Sequence, residues 1–168
     1  MSDCRSFPPV CLPDARALIL GSMPGVISLR AGQYYAHPQN AFWRIQCALW
    51  GMAFASDMPY ADKLRMLTSR RIGLWDVAES CRREGSLDSD MRGVVCNDFG
   101  ALFAASPGIR AVFCNGGAAH ALYMRHVRPE FPHIEVTRLP STSPAFTQSF
   151  ERKLEAWRVV PDKLKKLQ

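Results

Sequence analysis

The sequence holds no Cys-x-x-Cys pair, no Gly-x-x-x-x-Gly-Lys or Gly-x-Gly-x-x-Gly loop, and no apolar run long enough to cross a bilayer. Each absence removes a class. Cys4, Cys11, Cys47, Cys81, Cys96 and Cys114 are scattered, which leaves neither a disulfide framework nor a cluster-binding pattern and reads them as reduced thiols. Cys114, after Ala111-Val112-Phe113, has the setting of a small core residue. Without either glycine loop, a nucleotide-dependent enzyme lacks its phosphate cradle. His120, His126 and His133 have no partner at metal-ligand spacing, so no zinc site is expected. The first residues include Asp3 and Arg5 and no apolar stretch, so a signal peptide is not expected. The expectation is a cytoplasmic protein without membrane association. There is no internal repeat, low-complexity tract or linker, and a chain of 168 residues is read as one domain spanning 1–168.

Basic residues outnumber acidic ones by 21 to 15, a net charge of +6. That excess fits a polyanionic partner and equally fits a merely soluble basic protein. Strands are expected at 17–21, 72–77, 109–115 and 134–139, the last alternating apolar and polar residues. Helical periods occupy 42–49, 62–68, 98–105, 117–127 and 150–167, with Pro161 expected to break or kink the last. Strand and helix alternate, which argues for a parallel sheet covered by helices on both faces.

Four segments carry the chemistry. Ala17-Leu18-Ile19-Leu20 breaks into Gly21-Ser22-Met23-Pro24-Gly25, a strand ending in a tight loop, and such strand ends are where open α/β sheets hold ligands. Shortly after comes Gln33-Tyr34-Tyr35-Ala36-His37-Pro38-Gln39-Asn40-Ala41-Phe42-Trp43, whose Asn40 is the leading candidate for chemistry. Val112-Phe113-Cys114-Asn115-Gly116-Gly117 puts Asn115 at the same sheet edge, although Asn-Gly alone makes an ordinary turn. Leu139-Pro140-Ser141-Thr142-Ser143-Pro144-Ala145-Phe146 ends the last strand on hydroxyls and prolines. It reads as a helix start, with Ser143 as cap and Pro144 at the first helical position, and free amides there suit a phosphate.

In this order, with Gly73-Leu74-Trp75-Asp76-Val77, Gly85-Ser86-Leu87-Asp88-Ser89 and Asn97-Asp98-Phe99 between them, the motifs resemble the uracil-DNA glycosylase superfamily, specifically its hypoxanthine-DNA glycosylase branch. The resemblance spans nearly the whole chain. It implies a three-layer α/β/α sandwich around a short parallel sheet, working without metal or cofactor as a monomer on double-stranded DNA containing a deaminated base. The implied reaction is hydrolysis of the N-glycosidic bond, most of all that of hypoxanthine in deoxyinosine-containing DNA.

The resemblance also implies roles. Related branches carry a carboxylate or amide at the third position of the first loop, where this chain has Met23, which can neither accept a proton nor position water. Catalysis is therefore expected from Asn40, as a positioner of water for a dissociative cleavage. Gly21, Ser22, Met23, Tyr35 and Asn115 are expected to contact the base, Tyr35 by stacking and Asn115 by hydrogen bonds to its lactam edge. Pro24, Gly25, His37, Ser141 and Ser143 are expected to contact DNA, and Phe146 to wedge into the gap left by the extruded nucleotide. His37 is read as a loop-fixing residue before a general acid or base, and Asp76 as a strand terminus capping the next segment. Two other readings stay open: a uracil- or mismatch-specific enzyme of the same superfamily, and a non-enzymatic nucleotide- or nucleic-acid-binding α/β protein.

Overall fold

In the computed structural model, which describes residues 1–168, the apolar runs at 17–21, 72–76 and 111–115 are buried on both faces. Continuous burial of this kind is what a parallel strand covered by helices requires. Naming elements in chain order, β1 is Ser2–Arg5, β2 Ala17–Gly21, β3 Ile72–Asp76, β4 Ala78–Arg83, β5 Arg92–Cys96, β6 Ala111–Asn115 and β7 Glu135–Leu139. The helices are α1 Val26–Ala31, α2 Phe42–Leu49, α3 Tyr60–Thr68, α4 Phe99–Ala105, α5 Gly117–His126, α6 Phe150–Trp157 and α7 Val159–Lys166.

The main sheet has the order β3-β2-β6-β7, and every pairing in it is parallel. Side-chain alternation splits its strands between two cores. Ala17, Ile19, Ile72, Leu74, Ala111 and Phe113 pack with Phe42, Met66, Trp157 and Leu164 from α2, α3, α6 and α7. Leu18, Leu20, Val112 and Cys114 face the other way, onto Phe99 and Leu102 of α4 and Ala119 and Tyr123 of α5. The sandwich is thus α/β/α. No helix is long and apolar enough to cross a membrane.

A second sheet, β1-β4-β5, is antiparallel and lies outside the expected pattern. It begins where the first ends. The chain runs from β3 through Val77 straight into β4, with the Val77 and Ala78 N–H groups donating to the carbonyls of Gly21 and Ser22. β4 thereby continues past the end of β2 and supports the first loop from outside.

Three expected boundaries are corrected. No helix starts at Ser143-Pro144: the Ser141 and Ser143 hydroxyls accept the N–H groups of Ser143 and Ala145, closing two successive turns, and the helix waits for Phe150, capped by Ser149. The C-terminal helical stretch breaks at Arg158, between α6 and α7, and Pro161 sits in the first turn of α7, where it costs no hydrogen bond. Asp98, expected inside its helix, is instead the N-cap of α4 and accepts from the Ala101 N–H.

Candidate active site

The loops at the carboxyl ends of β2, β3, β6 and β7 converge on a cavity of about 380 Å³, a size in the range of small-ligand sites. Gly21, Ser22, Met23, Pro24, Gly25, Tyr35, His37, Asn40, Asn115, Ser141 and Ser143 all line it. Phe146 does not; it borders a neighbouring cleft with Gly117 and Arg138. The cavity is also lined by residues from the second sheet's turn, Ser86, Leu87 and Asp88, and by Asp76 from the end of β3.

The floor is built around a missing side chain. A Cβ on Gly21 would lie 2.4 Å from Asp76 Oδ1 and 3.1 Å from the Tyr35 hydroxyl, so only glycine lets these two groups meet there. Asp76 is buried, its backbone carbonyl accepts from Asn97 Nδ2, and its Oδ2 has no hydrogen-bond partner within the protein. It does not cap a following segment. Burial pushes its carboxyl up to about 8; Asp88 adds to the rise and the Arg83 guanidinium opposes it. At neutral pH the group is therefore chiefly a carboxylic acid, able to donate as well as accept. The Tyr35 hydroxyl is likewise buried without a partner, and burial, then the Asp76 carboxyl, hold it above the ordinary phenol range while the neighbouring Asn115 amide pulls the other way. Two buried polar groups beside one cavity are thus without a partner in the protein.

Tyr35 is fixed by unusual means. Its φ of 55° is left-handed, a conformation bulky residues avoid, and its ring stacks on Phe42 with centroids 3.9 Å apart. The turn is held by Ser28 Oγ, which accepts the Ala36 N–H at 3.0 Å. His37 Nδ1 accepts the Gln39 N–H at 3.0 Å, which places any ring proton on Nε2 and ties the ring to its own loop. Asn40 Oδ1 accepts the Phe42 N–H at 2.9 Å, orienting the amide at the start of α2. Its Nδ2 makes no bond in the protein.

The family model for the uracil DNA glycosylase superfamily matches residues 8–164. This chain belongs to that superfamily. Two proteins named hypoxanthine DNA glycosylase are similar to it: one from Methanosarcina barkeri, 39% identical over 67% of this chain and 70% of its own length, and one from Methanosarcina acetivorans, 43% identical over 68% and 72%. A solution NMR structure of a candidate uracil DNA glycosylase from Methanosarcina acetivorans superimposes with a TM-score of 0.82 at 36% identity, covering 98% of this chain and 99% of that one.

As a DNA glycosylase, the chain has the water-positioning candidate and the base pocket on different segments, and the two amides differ in their freedom. Asn115 is engaged at both ends: Nδ2 donates to Thr142 Oγ1 and Oδ1 accepts the Thr142 N–H, each at 2.9 Å. It joins the loop after β6 to the loop after β7. Gly116 sits between them with φ 96°, where a Cβ would lie 3.0 Å from that of Ser141. Met23 packs on Ala78 and Cys81 while lining the cavity, an apolar part of its wall.

The second sheet locks the first loop. Ser22 Oγ donates to Asp88 Oδ1, the Val26 N–H donates to Ser86 Oγ, and Arg83, fully buried, donates through Nη2 to the Pro24 carbonyl. Asp76, Arg83 and Asp88 were the residues least legible beforehand. Trp-Asp-Val reads as an ordinary strand end, and the strands bearing Arg83 and flanking Asp88 have no apolar alternation to announce them. No three His, Cys, Asp or Glu side chains come together as a metal site.

Proposed function

We propose that this DNA glycosylase acts as a monomer on double-stranded DNA and removes hypoxanthine from deoxyinosine, leaving an abasic site. The observation that carries the reading is the Asp76 carboxyl, buried beside a base-sized cavity with no hydrogen-bond partner for its Oδ2, where burial favours the protonated form. A lactam presents an oxygen acceptor beside an N–H donor, and a neutral carboxylic acid is its two-point complement. Both similar Methanosarcina proteins carry the name hypoxanthine DNA glycosylase, which favours that base over others with the same edge.

The chemistry divides among these residues. The C1′–N bond breaks with its electron pair going to the base nitrogen, while water adds to the sugar carbon and gives up a proton that the departing base takes up. Asp76 donates to the base as negative charge grows on it. The Tyr35 ring, backed by Phe42, gives the base a stacking face worth about 1–3 kcal/mol. Asn40 holds the attacking water, since an amide is too weak a base to take its proton before the bond has opened. No lysine stands in the loops 21–25, 33–43 or 139–146, and Lys153 lies behind the last of these with its amine on the Ser143 carbonyl. A Schiff base with the sugar therefore has no nucleophile in place, and the strand stays uncut.

Duplexes carrying hypoxanthine, xanthine, uracil or mismatched thymine, incubated with the protein and then treated with alkali, test this directly. The hypoxanthine duplex is expected to react fastest, with breaks only after alkali. The native enzyme is expected to lose excision as pH rises through about 8, and Asp76→Asn, which keeps a donor and an acceptor without a titrating proton, to retain excision without that decline. Faster uracil or thymine release would reassign the substrate. Binding without release of any base would favour a non-catalytic protein.

A further inference from the structure

The second sheet brings two of the six cysteines face to face. Cys4 of β1 and Cys81 of β4 are direct partners in the antiparallel register, so their side chains leave the same face of the sheet. Their spacing follows from the ladder. The Ser6 N–H donates to the Glu79 carbonyl at 2.8 Å, which makes the pair two steps along, Cys4 and Cys81, a hydrogen-bonded one as well. Such a pair holds its Cα atoms about 5.5 Å apart, within the about 4.4–6.8 Å that disulfides span. No other cysteine is placed this way: Cys96 stands opposite Ala78, Cys114 lies between Leu20 and Arg138, and Cys11 and Cys47 belong to no strand.

The two thiols differ in access. Cys81 is buried with Met23 and Ala78, whereas Cys4 packs half-buried against that cluster, on an edge strand whose sheet partner is β4 alone. Burial pushes the Cys81 thiol up, the Arg83 guanidinium opposes the rise, and the facing Cys4 thiol adds to it. Oxidation therefore starts at Cys4, since a thiol's susceptibility follows its exposure and thiolate character. Hydrogen peroxide gives one oxygen to the Cys4 sulfur, which becomes a sulfenic acid, and the other oxygen leaves as water. The Cys81 sulfur then attacks the Cys4 sulfur, the S–O bond breaks, and the departing hydroxide takes the Cys81 proton to form a second water. Two thiols and one peroxide thus become one disulfide and two waters. A small thiol in solution reverses the step by attacking the more accessible sulfur, that of Cys4.

We propose that Cys4 and Cys81 form a peroxide-sensitive redox site, closing to a reversible disulfide that fastens β1 to β4 beside the first loop of the base pocket. Native protein treated with hydrogen peroxide is expected to lose two of its six free thiols and to run as a single chain on a non-reducing denaturing gel. After proteolysis it is expected to yield one linked pair of peptides, carrying Cys4 and Cys81. The melting temperature is expected to rise by about 5–10 °C, because the bond closes a long loop in the unfolded chain, and dithiothreitol is expected to return it to the starting value. Cys4→Ser, at the half-buried position, is expected to abolish both the link and the rise, and Cys96→Ser to leave both intact. Cys4 carried on to a sulfinic acid without a link, a link between any other two cysteines or between two molecules, or a link that leaves the melting temperature unchanged would overturn the proposal. None of these readouts involves base release, so the proposal stands or falls separately from the hypoxanthine reading.

Discussion

Two asparagines face the same cavity from opposite sides, and their circumstances differ. Asn40 spends one oxygen lone pair on the Phe42 N–H and keeps its Nδ2 free; Asn115 spends both ends on Thr142. The same side chain is thus left with a free amide group in one loop and used as a fastener in the other. What separates them is the number of commitments each amide has to the backbone around it. Asn115, with one N–H and one lone pair left, is fixed by two bonds to a single residue, whereas Asn40 is oriented by one bond and keeps its whole NH2 group available.

Asn40→Ala tests the first half of that contrast and carries the largest expected effect. Excision is expected to fall by roughly 10²–10³, the scale for losing one preorganised polar group from a transition state. DNA affinity should barely change, and stability should fall by only about 1 kcal/mol through the lost bond at the helix start. Single-turnover kinetics beside a thermal melt separates the two. Near-normal excision by the folded variant would end the assignment.

Asn115→Ala is expected to reverse the pattern, losing about 1–3 kcal/mol because the buried Thr142 N–H is left unpaired, with activity falling as a consequence of the released loop. Thr142→Val, which drops only the hydroxyl partner, should cost less, and the two substitutions together should cost less than their sum. Additive losses would show that the pair does not act as one latch.

Asp76→Asn sharpens the comparison on the stability axis. The folded protein holds this proton up to about 8, whereas an unfolded chain releases it near 3.8, so between those values the native state binds more protons and stability falls as pH rises. The variant is expected to be more thermostable than the native protein at pH 8, with the advantage vanishing near pH 4 by calorimetry. The smallest effect is expected from Met23→Ala. The thioether packs on Ala78 and Cys81 and touches the cavity only as an apolar wall, so the change should lower stability by about 1–3 kcal/mol while excision, measured well below the melting temperature, shifts less than for any of the three.

The parallel sheet was readable because its strands announce themselves: Leu18 to Leu20 and Val112 to Cys114 are apolar on both faces, and glycines punctuate their ends. The residues on its loops were readable for the same reason. The second sheet was not, since Ser2–Arg5 is polar, Ala78–Arg83 buries an arginine where a pattern would place an aliphatic, and Val95 points to solvent. Its pairing is decided by partners far along the chain, Cys4 opposite Cys81 and Ala78 opposite Cys96, which local periodicity does not encode. Asp76 was hidden in another way. Its significance lies in what surrounds it, a cleared space at Gly21 and the charges of Asp88 and Arg83, and none of that is a property of Trp-Asp-Val. The turns at Ser141 and Ser143 show the converse error, where cap chemistry was recognised but the hydroxyls served local turns.

The cavity's walls come from six separate stretches of chain, from Gly21 to Ala145, so no fragment of the protein contains a binding site and the pocket exists only when the whole domain is assembled. Occupancy and global folding are therefore coupled by mass action. Any compound that enters the pocket, free hypoxanthine included, should raise the melting temperature in proportion to the logarithm of its concentration, by about 2.7 kcal/mol of added stability at a hundredfold excess over its dissociation constant. A melting curve then reports what the pocket accepts, with no turnover required.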